Sequence, residues 1–241
     1  MTRTFKVLSA LLNYPTAQLQ AAVPELSAAI DNEALLSAST RRQLGVLLNE
    51  IATGDLFDLQ ERYVLLFDRT RSLSLHLFEH VHGESRDRGQ AMIDLKALYE
   101  NGGLEIDVSE LPDFVPLFLE FLSTRPRREA YELLAQPAHV LAAIAERLRK
   151  RQSVYEAVFR ALVALAASKP KADIVSALLA EPDPDANDLA ALDAAWEDEP
   201  VNFGPNAGNS CKDTLIEKIR AGRRPAPGVV QAQSRPIMTR S

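Results

Sequence analysis

The sequence predicts an all-α fold, namely a single helical-bundle domain followed by a disordered C-terminal tail. Hydrophobic residues make up 46% of the 241 residues and aromatic residues only 6%, so small and straight aliphatic side chains dominate. Such side chains lose little freedom in a helix, which favours helices over sheets. Apolar residues recur at helical spacing along most of the chain, and no segment shows the alternation of a half-buried strand.

The first four apolar stripes each have a recognisable boundary. Pro15 stops the first stripe, and Pro24 is expected to split or bend the second, because proline lacks the N–H that a helix interior uses. Gly54 ends the third stripe, and Asp55 is a good N-cap for the fourth. The stripes are Val7, Leu8, Leu11 and Leu12; Leu19, Val23, Leu26 and Ile30; Leu44, Leu47, Leu48 and Ile51; and Leu56, Leu59, Tyr63 and Leu66.

The central helices are bounded in the same way. Gly83 ends a predicted helix over residues 72–82. The pair Gly102–Gly103 ends the next helix, over residues 88–101, because glycine is common just after a helix C-terminus. Pro112 is expected in the first turn of a further helix. Two more Ala- and Leu-rich helices are predicted over roughly residues 138–150 and 153–167.

The composition divides the chain into three parts. Residues 1–170 form the predicted helical core. Residues 171–211 form an acidic segment, predicted to pack partly on the core, in which no Lys or Arg occurs after Lys171. Residues 212–241 are predicted to be a flexible basic tail, because they are rich in Arg, Pro and Gly and too poor in apolar residues to fold alone. The tail is either simply solvated or contacts an acidic partner or the chain's own acidic segment.

Charge and cysteine content exclude several classes of function. A net charge of −6 argues against a nucleic-acid-binding protein. The single cysteine, Cys211, allows no disulfide within the chain and no cysteine-rich metal site. The apolar run Val7–Leu12 is too short for a secretion signal, and no stretch approaches the ~20 apolar residues that span a bilayer. We therefore expect a cytoplasmic protein that does not insert into the membrane.

A His-x-x-Glu-His spacing at His76, Glu79 and His80 is the most obvious candidate for chemistry. On a helix the two imidazoles would share a face and could bind zinc, with the glutamate as general base of a hydrolase. However, the chain shows no strands for the α/β domain in which such peptidases place this motif. In addition, His82 would point away from the pair, and Gly83 ends the helix. The alternative is that the histidines pack or form hydrogen bonds at a helix end.

A longer run around this motif resembles a known family. Residues 78–92, FEHVHGESRDRGQAM, closely resemble the signature of the NarJ family of nitrate reductase assembly chaperones, within the TorD-like group of redox-enzyme maturation chaperones. Residues 63–68 resemble the group's Tyr-x-x-Leu-Phe element, residues 110–120 its second motif, and residues 196–203 a C-terminal element. The resemblance covers about residues 5 to 205. It departs from the family pattern at Phe114, where the second motif usually has His.

The resemblance implies a TorD-like helical fold, no enzymatic activity and no permanently bound cofactor. It implies as partner the catalytic (alpha) subunit of the respiratory nitrate reductase, bound through its N-terminal segment. The chaperone would keep that subunit competent for insertion of the molybdopterin guanine dinucleotide cofactor, and for iron–sulfur and membrane-anchor assembly. It would not be part of the finished enzyme.

We expect the client peptide to lie in an apolar groove with a charged rim. For every residue of the groove wall, the alternative is plain packing in the core. If His80 or His82 lies at the rim, the affinity for the client peptide should change between about pH 5.5 and 7.5. The wall candidates are Tyr63, Phe67, Phe78, Leu117 and Phe121. The rim candidates are Arg69, Glu79, His80, His82, Glu84, Arg86, Arg88 and Asp113.

Overall fold

The computed structural model describes residues 2–81, 86–106 and 110–183. Ten α-helices and two short 3-10 helices occur in these residues, with no strand and one isolated bridge between His76 and Phe114. The prediction of an all-α fold is confirmed. The α-helices are α1 Arg3–Leu11, α2 Ala17–Glu33, α3 Ala38–Thr53, α4 Leu56–Phe67, α5 Arg86–Asn101, α6 Val115–Thr124, α7 Arg127–Leu134, α8 Ala138–Lys150, α9 Glu156–Leu165 and α10 Ala172–Leu179.

Local signals in the sequence set several of these boundaries. The Asp55 carboxylate accepts the N–H groups of Phe57 and Asp58 at 2.8 and 3.3 Å, as expected of an N-cap. After α5, Gly103 adopts a φ of +80°, a conformation that residues with a Cβ rarely adopt. The stop at Gly102 and Gly103 is therefore as predicted.

The core lies where α1 packs between α2 and α6 and where α9 packs against α3 and α8. Phe5, Leu8 and Leu11 of α1 have no exposed surface. The main-chain N–H of Thr2 donates to the Ser123 carbonyl at 2.9 Å, so the beginning of the chain is fastened to the end of α6. The Ser9 hydroxyl fastens the other end of α1 by donating to the Pro116 carbonyl at 2.8 Å.

Two expectations about proline are corrected. The helix α2 runs without interruption from Ala17 to Glu33 with Pro24 inside it, so the expected split is wrong, while the alternative of a bend stays a prediction. Helix packing on α1 and α3 outweighs the lost hydrogen bond. Pro112 lies in the turn before α6, which begins only at Val115, and its carbonyl accepts the Tyr99 hydroxyl at 2.7 Å.

The predicted helix over residues 72–82 is wrong. Two 3-10 helices, Arg71–Leu73 and Leu77–His80, stand in its place, and His76 between them is extended. The extended residue pairs with Phe114 across the isolated bridge, so a contact with a distant part of the chain overrides the local helical pattern.

The acidic segment begins with α10, which packs on α8. The predicted division at residues 170 and 211 stays a prediction. The tail, and the element of residues 196–203 that resembles the family, lie outside the described residues. Among the helices that are described, none combines the length and apolar character needed to cross a membrane.

Candidate functional site

The candidate site forms where the linker between α4 and α5 meets the loop before α6. The N–H of Leu77 donates to the Asp113 carbonyl at 3.1 Å, and the N–H of Val115 donates to the Leu75 carbonyl at 2.9 Å. These bonds bring the beginning of the signature run beside the second motif. The sequence distance between the two is more than 30 residues, so neither local pattern predicts the contact.

Asp113 is the centre of this contact. Its side chain has no exposed surface, and its Oδ2 accepts the main-chain N–H of Phe78 at 3.1 Å. Its Oδ1 lies 3.1 Å from Nδ1 of His76, whose ring also stacks at 5.3 Å on Phe114. The expectation that Asp113 lies at a rim is corrected, because the carboxylate fixes the 3-10 turn from inside.

The hydrogen bond to Asp113 raises the pKa of His76, and it outweighs the opposing effect of partial burial. The nearby Glu79 carboxylate acts in the same direction, whereas the Arg88 guanidinium acts against it. The imidazole therefore favours its charged form more than a free histidine does. An imidazolium–carboxylate pair at a half-buried position stabilises both the linker and the loop.

His80 is in the opposite environment. It is 8% exposed, and its Nε2 lies 2.8 Å from the Ser74 carbonyl, to which the N–H tautomer donates. Burial lowers the pKa of His80 to about 4, so the ring is neutral at neutral pH. The expected rim position of His80 is corrected, and this residue does not titrate between pH 5.5 and 7.5. His82 lies outside the described residues.

The remaining charged rim candidates differ in how much of them the structure describes. Arg88 Nη2 lies 3.5 Å from Glu79 Oε1, and the two side chains are 24% and 26% exposed. This pair joins the 3-10 turn to α5 and remains accessible to a partner. Arg69 is exposed just after α4. Glu84 and the side chain of Arg86 lie outside the described part of the structure.

The predicted groove wall is mostly inside the core. Tyr63, Phe67, Phe78 and Phe121 are at most 8% exposed, while Leu117 is half-buried. Tyr63 and Phe67 pack edge-on to each other with ring centroids 5.1 Å apart, and Phe121 packs on Tyr99 of α5 at 4.8 Å. Core packing, the alternative that the sequence left open, describes the placement of these four aromatic residues. Their role in client binding stays a prediction.

Sequence reasoning missed Arg147, which is 2% exposed. Its Nη1 donates to the Ser72 carbonyl at 2.8 Å, and its Nη2 donates to the Leu178 carbonyl at 2.7 Å. One buried guanidinium thus connects α8, the linker and the end of α10. The available signal was its helical phase, since Arg147 lies three and seven residues after the apolar Ile144 and Val140.

Asp183 completes that connection. Its Oδ1 accepts the Ser72 hydroxyl at 2.5 Å and Nη2 of Arg151 at 2.6 Å. The linker residue Ser72 is therefore held through both its carbonyl and its hydroxyl. Because Ser74 follows two residues later and accepts from His80, the same network supports the candidate site.

The zinc hypothesis is not supported. His76 and His80 are on an extended residue and a 3-10 turn, so they do not share the helix face that the motif requires. Nδ1 of His76 faces Asp113, and Nε2 of His80 is bonded to a main-chain carbonyl. In the part of the chain that the structure describes, no group of three His, Cys, Asp or Glu side chains could hold a metal ion.

Comparison with known proteins identifies the family of this chain. The family model described as nitrate reductase delta subunit matches residues 15–161. The nitrate reductase molybdenum cofactor assembly chaperone NarJ of Escherichia coli (strain K12) is 42% identical over 233 residues, which are 97% of this chain and 96% of the relative.

Two further relatives carry similar names. The probable assembly chaperone NarW of Escherichia coli (strain K12) is 40% identical over 89% of this chain and 90% of its own length. The probable NarJ of Bacillus subtilis (strain 168) is 30% identical over 67% of this chain and 86% of its own length. The chain therefore belongs to the nitrate reductase delta subunit family, as a NarJ-type assembly chaperone and not an enzyme.

Proposed function

We propose that this chain is a system-specific chaperone of a molybdenum-containing respiratory nitrate reductase. It binds the N-terminal segment of the catalytic (alpha) subunit in the cytoplasm and keeps that subunit competent for insertion of molybdopterin guanine dinucleotide. It then leaves, so it is not part of the finished membrane complex. The observation that carries the proposal is the 42% identity to a named assembly chaperone over 97% of the chain.

We place the client contact beside the junction of the linker and the loop before α6. Among the predicted contact residues, Arg69, Glu79 and Arg88 keep partly or fully exposed charged side chains, and Leu117 of α6 is a half-buried apolar residue. A charged rim beside apolar side chains suits an amphipathic peptide, whose charges then set orientation and association rate. Leu111, in the same loop as Asp113, is a large apolar residue at 47% exposure and adds an apolar side chain that a peptide can contact.

The buried members of the junction support this surface from below. Asp113 and His80 hold the 3-10 turn through hydrogen bonds to Phe78 and Ser74. A turn held in this way presents Glu79 to solvent in one orientation, so less conformational freedom is lost when a peptide binds. The signature run therefore combines His80, which braces the turn, with the partly exposed pair of Glu79 and Arg88, which can meet the client.

Isothermal calorimetry with the synthetic N-terminal peptide of the catalytic subunit tests the proposal. We expect a saturable heat, weakened about three- to tenfold by Arg88→Gln, with a smaller salt dependence because one rim charge is lost. Arg128→Gln is the matched control, since Arg128 is an exposed residue of α7 paired with Glu132. Absence of heat at high micromolar peptide, with the protein shown to be folded, would overturn the proposal.

A further inference from the structure

The helix α10 is short and lies on the surface of the protein. It is eight residues long, none of them buried, and its main packing partner is α8. Its apolar residues Ile174, Val175, Leu178 and Leu179 are half-buried, and Lys171 at its N-cap provides no side-chain cap. So short a helix has little stability of its own and depends on the surface beneath it.

The surface beneath α10 makes one contact that any helix can supply and one that depends on a side chain. Arg147 of α8 binds the Leu178 carbonyl, which belongs to the last turn of α10. Arg151 binds the carboxylate of Asp183, five residues further along. The contact of Arg147 with a carbonyl at a helix C-terminus is general, because any helix supplies that carbonyl, whereas the carboxylate of Asp183 is specific to this chain.

The buried guanidinium of Arg147 also favours occupation of this surface by a helix. It is 2% exposed, and burying a guanidinium without acceptors is costly. One of its acceptors is the carbonyl of Ser72 in the linker, and the other is supplied by α10. If α10 leaves, another helix must supply the second acceptor or the guanidinium must become hydrated.

From these contacts we infer that the face of α8 around Arg147 is a helix-binding surface, and that α10 occupies it as a stand-in for an amphipathic helix of the client. Client binding displaces α10 and releases Asp183 from Ser72. The linker then loses one of its two anchors at Ser72, so occupation of this surface is communicated to the candidate site. This inference rests on the proposed function, because it takes the client segment as the competing helix. It extends the proposed client site from the rim residues to the neighbouring face of α8, where Arg151 lies 3.5 Å from Thr70, the residue after Arg69.

Hydrogen exchange of the full chain, with and without the synthetic client peptide, reads the displacement directly. The amides of Val175 and Ala180 donate within and at the end of α10, so they report whether the helix is formed. We expect saturating peptide to raise their exchange at least about tenfold toward that of an unfolded segment. Amides in the core of α9 serve as the internal reference and should be unaffected.

A substitution of Asp183, which holds the end of the α10 segment, provides the second measurement. Asp183→Asn weakens the hold on α10, so the client peptide should bind about three- to tenfold more tightly in calorimetry. Glu146→Gln is the control, because it removes a charge from the same helix α8, and Glu146 pairs with the exposed Arg149. Its affinity for the peptide should equal that of the unmodified protein.

The outcomes separate the two proposals. Heat on mixing without any increase in exchange of the α10 amides would overturn the displacement while leaving the chaperone function intact. Unchanged or weaker binding by Asp183→Asn, with the variant shown to be folded, would also overturn it. Absence of heat with every variant would overturn the proposed function itself, and the inference with it.

Discussion

The fully buried carboxylate of Asp113 accepts the main-chain N–H of Phe78 at 3.1 Å, across 35 residues of sequence. This bond holds the 3-10 helix at the beginning of the signature run against the loop before α6. Through this bond, two motifs that are far apart in the sequence lie side by side. It also makes Asp113 a residue whose loss should affect the whole junction.

Replacement of Asp113 by alanine should lower the free energy of unfolding by about 2 to 4 kcal/mol, because buried donors lose a charged acceptor. Urea unfolding followed by circular dichroism measures the change. Asp31→Ala is the control, since Asp31 is 63% exposed in its pair with Arg41, and it should change stability by less than about 0.5 kcal/mol. Equal effects of the two substitutions would contradict the bracing role.

His76 should titrate above an ordinary histidine. Its pKa is raised by the hydrogen bond to Asp113, so the stability it contributes is complete below about pH 6.5 and is lost as the pH rises through its folded-state pKa. NMR titration of the ring nitrogens should show this raised pKa, and the value should fall in Asp113→Ala. A His76 pKa that is the same in both proteins would show that the carboxylate does not set it.

His80 should produce the opposite dependence. Its pKa is lowered to about 4 by burial, so below about pH 6.5 the unfolded chain binds a proton that the folded protein does not. The free energy of unfolding should therefore fall by about 1.4 kcal/mol for each pH unit between roughly 6 and 4.5. Urea unfolding at pH 7, 6 and 5 measures this slope.

The substitution His80→Gln should flatten that slope by about one proton, because glutamine does not titrate. His76→Gln is the matched control from the same linker. It should leave the slope below pH 6 intact, since His76 is already protonated there in both folded and unfolded states. If both substitutions leave the slope unchanged, His80 does not remain neutral in the folded protein.

Arg147 should not be replaceable by lysine. A single ammonium cannot reproduce the planar guanidinium that reaches the carbonyls of Ser72 and Leu178 at once, so Arg147→Lys should destabilise the protein by about 1 to 3 kcal/mol. Thermal unfolding monitored by calorimetry measures the loss. Arg149→Lys, two residues away in an exposed pair with Glu146, should be close to neutral.

Much of the fold could be predicted from local signals. The cap at Asp55, the stop at Gly103 and the helix over residues 138–150 depend on neighbouring residues only, and the structure has all three. The all-α class follows from composition and periodicity. These features are decided within a few residues, where a sequence pattern carries enough information.

The sequence indicated where the candidate site lies but not its geometry. The signature run indicated the region around Phe78. Local spacing predicted a helix over residues 72–82, but a contact with the distant Asp113 holds this segment in a different conformation. Arg147 appeared to be an ordinary basic residue near the end of a helix. Its acceptors, Ser72 and Leu178, are 75 and 31 residues away, so no local pattern reveals them.

The attachment of α1 to α6 has a consequence for how the protein is made. The apolar face of α1 is covered by a helix that begins at Val115, 104 residues after Leu11. At ordinary rates of translation the ribosome needs on the order of 5 to 20 s to reach it. Throughout that interval the side of α1 that packs on α6 stays uncovered, although α2 can already cover another side, so the nascent assembly chaperone itself exposes apolar surface that needs protection.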